Sequence, residues 1–503
     1  IRILGGCSIM ERKPRKFGEP YDFQIITVSK TEEKDERKRR LIENDNLYNR
    51  VKALYEEGRK RDAEVFRDSI RLTPEKIRTV VSYLESVNLG DTDLDSKGHA
   101  FETFMGSFFR GNFGQYFTPR EIVKFIVDVL PIKNDSKVLD TSCGSGGFLL
   151  YALNKVRNQA TEFYPNHNND VRQHERWFKH WHDFAEKNLY GIEISEQISR
   201  AAKMNMIIHD DGHTNVITSD GLVSDETILA KTNNSGFKYG TFDFIITNPP
   251  FGSTIRQSEQ AYLKTYQLGK KEEDWLAVKA MPENIRDGQS TEVLFIEQDY
   301  KFLKEGGYLA IVLPDGILTN SSMQYVRTQI EDWFRIVAVV SMPQTAFTAN
   351  GAGVKSSVLF LKKWKKEQTR ELVDAKKDIE SKLLKNSNYL LHRQTWDLEI
   401  REKQRDKAND IKTRQRITAT AAKQTDEYKV WNSELLAEYA SKVEELKTQL
   451  VEEYQQTKQS KLPDYPIFMA IAEEIGYDAT GKKTANNELD VIGEELKKFI
   501  ALL

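Results

Sequence analysis

Asp243-Phe244-Ile245-Ile246-Thr247-Asn248-Pro249-Pro250-Phe251 is the stretch on which the fold turns. With Phe242 before it, the run is apolar or β-branched except for Asp243, and it stops at two prolines. Such a run reads as a buried strand of a parallel sheet. Proline fixes φ and brings no amide donor, so the ladder ends where Pro249 begins. Asn248 therefore stands at a strand's carboxyl end, where open α/β sheets bind their ligands.

The exocyclic amino group of a nucleobase is a poor nucleophile because its lone pair is delocalised into the ring. Two acceptors aimed at its hydrogens, the Asn248 side-chain oxygen and the Pro249 carbonyl, would favour a pyramidal nitrogen with a localised lone pair. Pro250 keeps the turn free of a competing donor. Phe251 offers a flat apolar face to a base swung out of its helix. The plain alternative is a strand ended by a proline turn, with Phe251 in the core. Four residues do not decide between the two; the chain upstream does.

Lys137-Val138-Leu139-Asp140 is a short strand, followed by Thr141-Ser142-Cys143-Gly144-Ser145-Gly146-Gly147-Phe148 and a helix. Strand, glycine-rich turn and helix form a nucleotide-binding layout, because glycines let the backbone approach a ligand closely. No Lys-Ser/Thr follows the last glycine, so this is not a phosphate loop, and the G-x-G-G spacing does not fit a dinucleotide fingerprint. Cys143 reads as a small packing residue. The next strand, Leu189 to Ile194, carries Glu193 near its carboxyl end, where an acid suits both hydroxyls of a ribose. Asp220 follows another short strand and could accept from an adenine amino group. Singly, each acid reads as a surface loop residue. Three in succession, each after a strand and all before Asn248, form a pattern.

Composition sets the bounds. The 503 residues suffice for two or three domains. Hydrophobics at 39% and charged residues at 30% describe a protein with a sizeable core and long solvated helices. A net charge of −2 excludes a global basic field, although a local basic cleft is enough for a nucleic acid. Two cysteines, Cys7 and Cys143, make no disulfide framework, which points to a reducing, cytoplasmic setting. No run approaches the ~18 apolar residues of a spanning helix, so no membrane is expected. The chain starts at Ile1 rather than Met, as a piece of a longer protein would.

The order of these elements resembles the class of adenine-N6 DNA methyltransferases whose donor site precedes the catalytic motif. Within that class it is most similar to the modification (M) subunits of type I restriction-modification systems. The resemblance rests on Gly114-Gln115-Tyr116-Phe117-Thr118-Pro119, Asp140 through Phe148, and Asn248 to Phe251. Phe295-Ile296, Leu303 to Gly307, Ile311 to Gly316 and Ser357 to Phe360 extend it, so that it runs from about residue 95 to 365. Thr141-Ser142 departs from the family's usual Pro-Ala.

The resemblance implies an α/β fold. A seven-stranded Rossmann-like S-adenosylmethionine-dependent core spans residues 113–364, between a mainly helical domain at 1–112 and a helical region at 365–503 that docks other subunits. It implies S-adenosylmethionine as donor, with Thr118, Pro119, Asp140, Gly144, Ser145, Gly146, Gly147 and Phe148 around its methionine part, Glu193 on the ribose and Asp220 on the adenine. Asn248, Pro249, Pro250 and Phe251 would be catalytic, with no metal. The implied partners are double-stranded DNA, a specificity (S) subunit shared by two M chains, and a restriction (R) subunit. An RNA-base or protein-glutamine methyltransferase would use the same Asn248 chemistry, and a donor-binding assembly subunit would have lost it.

Four expectations concern particular segments. Thr118 caps a helix running through Ile122 to Leu130. Residues 155–186, with His167, His174, His180, His182, Trp177 and Trp181, form an amphipathic helical insertion rather than a zinc site. Residues 252–290 form a mobile loop that closes over the flipped base. Leu436, Tyr439, Val443, Leu446, Leu450 and Tyr454 make a heptad-like seam, either inside its own hairpin or as a docking arm.

Overall fold

The computed structural model describes residues 23–85, 118–209, 215–256, 263–271, 275–277, 285–348 and 353–503. They divide into two compact units, one of Ile1–Tyr262, Gly288–Lys363 and Ile467–Leu503, the other of Leu263–Asp287 and Trp364–Pro466.

The first unit is built on a mixed sheet. Its strands are β1 (Val138–Asp140), β2 (Leu189–Glu193), β3 (Val216–Thr218), β4 (Phe242–Thr247), β7 (Leu303–Pro314), β8 (Phe334–Ser341), β9 (Ser356–Lys363) and β10 (Phe468–Ile471). Between β4 and β7, the short strands β5 (Thr254–Arg256) and β6 (Gly288–Ser290) pair with each other. The sheet order is β10-β8-β9-β7-β4-β1-β2-β3. All neighbours are parallel except β9, which runs antiparallel to β7 and β8. Every residue of β1 and β2 is buried, as expected of strands covered on both faces. The chain runs outward from β1 to β3, then returns to place β4 on the other side of β1. The reversal opens a crevice beyond the carboxyl ends of β1 and β4, and Asp140 and Asn248 stand there.

The helices Arg120–Val129, Gly147–Phe163 and Val171–Lys187 share the core on one side of the sheet. The insertion is helical, with Trp181, Phe184 and Ala185 buried. Its histidines make ring contacts: His167 stacks on Trp177 at 4.7 Å and His182 on Phe178 at 4.7 Å. His182, Asp183 and Glu186 bring ligand atoms within 4.8 Å of one another, but Lys187 pairs with Asp183 at 3.1 Å.

Two expectations change. The sheet has an eighth strand, and residues 365–503 are not one helical region. After the second unit the chain returns at Ile467, adds β10 to the edge beside β8, and forms β11 (Ile475–Tyr477), β12 (Lys483–Asn487) and the helix Glu488–Ala501. The cause is an apolar period of two followed by one of about four. Phe468 and Ala470 pack on the core while Met469 and Ile471 point away, 75% and 72% exposed. Leu489, Leu496 and Ile500 then cover Phe125 and Val129 of the helix Arg120–Val129. A side chain at Gly493 would meet Phe125 at 3.4 Å.

The second unit is a bundle of the helices Lys366–Asn386, Tyr389–Gln415 and Asp426–Lys461. Leu435, Tyr439 and Leu450 are buried within it, so the seam serves its own hairpin, while Leu436 is exposed. Part of the loop after β4 also belongs here. Leu276 is buried with Tyr389 and Leu450, and Trp275 lies 5.7 Å from Tyr454. That part is anchored rather than a free flap. The expected closure over a base also involves residues 257–262, 272–274 and 278–284, which lie outside the described residues.

Candidate active site

Asn248 follows the buried Thr247 directly, so the β4 ladder fixes its backbone while its side chain leaves the sheet. Its Nδ2 donates to the Thr118 hydroxyl oxygen at 2.9 Å. That bond orients the amide, and Oδ1 is left buried with no hydrogen-bond partner. A buried, unpaired acceptor costs free energy unless a ligand supplies the donor, on the order of 1–3 kcal/mol. Thr118 was expected to cap the following helix. Instead Pro119 occupies the cap position, no side chain caps it, and the hydroxyl serves Asn248.

The Pro249-Pro250 turn is held from behind. Thr291, first residue of the helix Thr291–Phe302, donates its hydroxyl to the Pro250 carbonyl at 2.9 Å. Phe251 is half-buried and meets the buried Phe347 edge-on, with ring centroids 6.4 Å apart. Neither Thr291 nor Phe347 was picked out from the sequence, because neither sits in a run with the catalytic residues.

Across the crevice lies the glycine-rich turn. Gly144 (φ +52°) and Gly146 (φ +84°) are left-handed, a region that disfavours side chains. Nothing lies within 4 Å of where a Cβ would stand on Gly144 or Gly147, so the backbone lines open space. Glu193 spans the turn. Its Oε2 accepts from the Gly144 amide at 3.2 Å and its Oε1 from the Ser195 amide at 2.8 Å. Asp220 is half-buried and accepts from the Leu222 amide at 2.9 Å. Gly221 lets its loop touch the β1 loop, since a Cβ there would come within 2.4 Å of the Thr141 carbonyl. Phe148 and the Ser145 side chain are buried; Phe148 belongs to the core beneath the turn.

A hydroxyl network joins the two sides. Thr247 Oγ1 donates to Asp140 Oδ1 at 2.8 Å and lies 2.7 Å from Ser142 Oγ. The Ser142 amide donates to the same Asp140 oxygen at 3.1 Å, and Thr141 donates to Asp299 Oδ1 at 2.8 Å. Burial pushes the Asp140 carboxyl up to about 7, against the pull of the Thr247 and Ser142 hydrogen bonds. Asp299, fully buried with Oδ2 unpaired, is pushed by burial well above the usual carboxylate range. Asp299 lies in the helix Thr291–Phe302 and is an interior acid.

Raised folded-state values make both carboxyls release a proton when the chain unfolds at neutral pH. Their contribution is full below the unfolded value near 4, and it is lost as pH rises through the folded one. Denaturant midpoints of Asp299→Asn and the parent protein should lie closest below about pH 4. They should separate toward pH 8, the variant being the more stable. Parallel pH profiles would rule out a neutral Asp299.

The family model for N-6 DNA methylase matches residues 92–437, more than half of the chain. The chain belongs to the N-6 DNA methylase family. The expectation drawn from the motif order therefore holds. Relatives of this N-6 DNA methylase include the type II restriction enzyme and methyltransferase RM.BcgI of Heyndrickxia coagulans, 26% identical over 54% of this chain and 35% of that one. Another is the type I restriction enzyme EcoEI methylase subunit of Escherichia coli, 25% identical over 57% of this chain and 50% of that one. The chain thus spans half or less of these relatives. The crystal structure of the type I restriction enzyme EcoKI M protein is similar over 73% of this chain and 62% of that one, with TM-score 0.35 and 20% identity. The methylase's own residues fit a sulfonium donor: an open glycine cradle faces a buried acid at Asp140, with Glu193 at its rim. No described helix is long and apolar enough to cross a membrane.

Proposed function

We propose that this chain transfers a methyl group from S-adenosylmethionine to the N6 amino group of adenine in DNA, as the modification subunit of a type I restriction-modification system. The observation that carries the reading is the Asn248 amide, turned by Thr118 so that its buried oxygen has no partner. Bound S-adenosylmethionine supplies a methyl on a positively charged sulfur. Thr118, Pro119, Asp140, Gly144, Ser145, Gly146, Gly147 and Phe148 surround its methionine part. Glu193 holds the ribose and Asp220 the adenine.

Asn248 Oδ1 and the Pro249 carbonyl accept from the two amino hydrogens of the target, which returns the lone pair to nitrogen. Phe251, braced by Phe347, stacks on the extruded base. Positive charge is transferred to the nitrogen and then leaves as a proton, so no strong base is required before attack. The neutral amide of Asn248 suits this role, because it attracts the developing positive charge without itself having to ionise.

Two such chains would share one specificity subunit, with a restriction subunit joining for cleavage. The names of the EcoEI and EcoKI relatives support the type I assignment. Labelled-methyl transfer with the chain and its specificity partner tests the proposal. Label on adenine N6 of duplex DNA supports it. Label on RNA or on a protein glutamine, or no transfer at all, overturns it.

A further inference from the structure

The helix Glu196–Ile208 follows β2 and has two working faces. One lies behind the glycine-rich turn. Asn205 donates its Nδ2 to the Ser145 carbonyl at 2.9 Å, and Ala202 and Met206 come within 3.7 and 3.6 Å of where a Gly146 side chain would begin. Asn205 is buried, and its Oδ1 has no partner. The other face carries Glu196, Arg200 and Lys203. At about 100° per residue, these project roughly opposite to Asn205, with Ala202 and Met206 on the flank between.

That second face is gripped by the segment between the helices Glu36–Arg61 and Pro74–Leu84. Arg67 pairs with Glu196, Asp68 with Arg200 at 3.5 Å, and Glu64 with Lys203. The pairs differ in weight. Arg67 and Glu196 are both more than half exposed, and such a pair contributes little. The Lys203 side chain is only 10% exposed, so losing Glu64 would strand a buried cation. Phe66, in the same segment, is buried against Gly58, which ties the segment to the first of these helices.

We propose that Asn205 is a positioning residue for the donor-binding turn, and that its helix couples donor affinity to the docking of the N-terminal helices through Glu64 and Lys203. By holding the Ser145 carbonyl, Asn205 keeps it turned away from the crevice, while Glu193 and the Cys143 carbonyl fix the Gly144 and Gly146 amides on either side of it. The proposal rests on the donor-site reading above.

Calorimetry with S-adenosylmethionine on the full chain tests it, beside thermal melting without donor and amide exchange over residues 142–147. Asn205→Leu, near in volume but without the N–H, should raise the donor Kd about tenfold, the worth of one buried hydrogen bond. Exchange in the turn should quicken. Lys203→Met, which keeps the stem and removes the charge, should raise Kd several-fold through the same helix. A lower melting temperature with donor affinity unchanged in both variants would mark merely structural residues and overturn the proposal. Should Asn205→Leu fail to fold, Lys203→Met decides alone, since unchanged affinity there breaks the coupling. If the parent chain itself binds no donor, the donor-site reading falls and this inference with it. Binding by the parent and equal binding by the variants defeats this inference only.

Discussion

Replacing Asn248 with alanine is expected to lower the single-turnover rate of methyl transfer about a thousandfold, as loss of one preorganised polar group at a reacting centre does elsewhere. Donor affinity should stay within about twofold, well under 1 kcal/mol. The asymmetry follows from where the side chain points. Its Nδ2 is engaged by Thr118, and its Oδ1 is buried and unpaired at the end of β4, while the glycine turn is held by other groups. Alanine deletes the acceptor and leaves the Pro249 carbonyl alone to draw the amino hydrogens. The lost bond to Thr118 costs the fold only about 1 kcal/mol, so the variant should still fold. Rapid-quench measurement with labelled donor, beside calorimetry, checks both halves. Transfer at the parent rate would remove Asn248 from the chemistry.

Glu193→Ala should have the converse signature. Its carboxylate is buried and already accepts two backbone amides, Gly144 from the glycine turn and Ser195 from the loop after β2. The proposed ribose role adds two hydroxyl donors to these partners. Charge-assisted hydrogen bonds are worth about 1.5–3 kcal/mol each, so their loss should weaken donor binding about a hundredfold. The Gly144 amide would be freed at the same time. Glu193→Gln keeps the shape and one acceptor oxygen and should fall between the two. An affinity unchanged by calorimetry in Glu193→Ala would count against the ribose role.

Much of the catalytic unit was legible because its signals are local. Phe242 to Thr247, apolar or β-branched but for Asp243, and Leu189 to Ile192 are strand-like runs, and the left-handed Gly144 and Gly146 sit in a turn that could have been built little differently. What was not legible depends on distant partners. Thr118 looks like a helix cap, and only the fold brings Asn248, 130 residues away, to its hydroxyl. Asp299 follows Glu297 and Gln298, three polar residues in a row that carry no local sign of an interior, yet all three are buried. The seam from Tyr439 to Leu450 fitted an internal hairpin or an outside partner equally well, because period alone does not name the surface that receives it. The last strand failed for the same reason, since β10 meets β8 across more than a hundred residues of intervening chain.

The return of the chain at Ile467 has a consequence for synthesis. The catalytic unit is made of three separate stretches, the last of which supplies both an edge strand and the helix over Phe125 and Val129. A ribosome releases the donor turn and Asn248 long before that final stretch emerges. Meanwhile the face of the helix behind Thr118 stays open to water and to other nascent chains. Vectorial folding cannot seal this protein from its beginning; the helical bundle at Trp364–Pro466 must be threaded out first, as an insertion inside an unfinished domain.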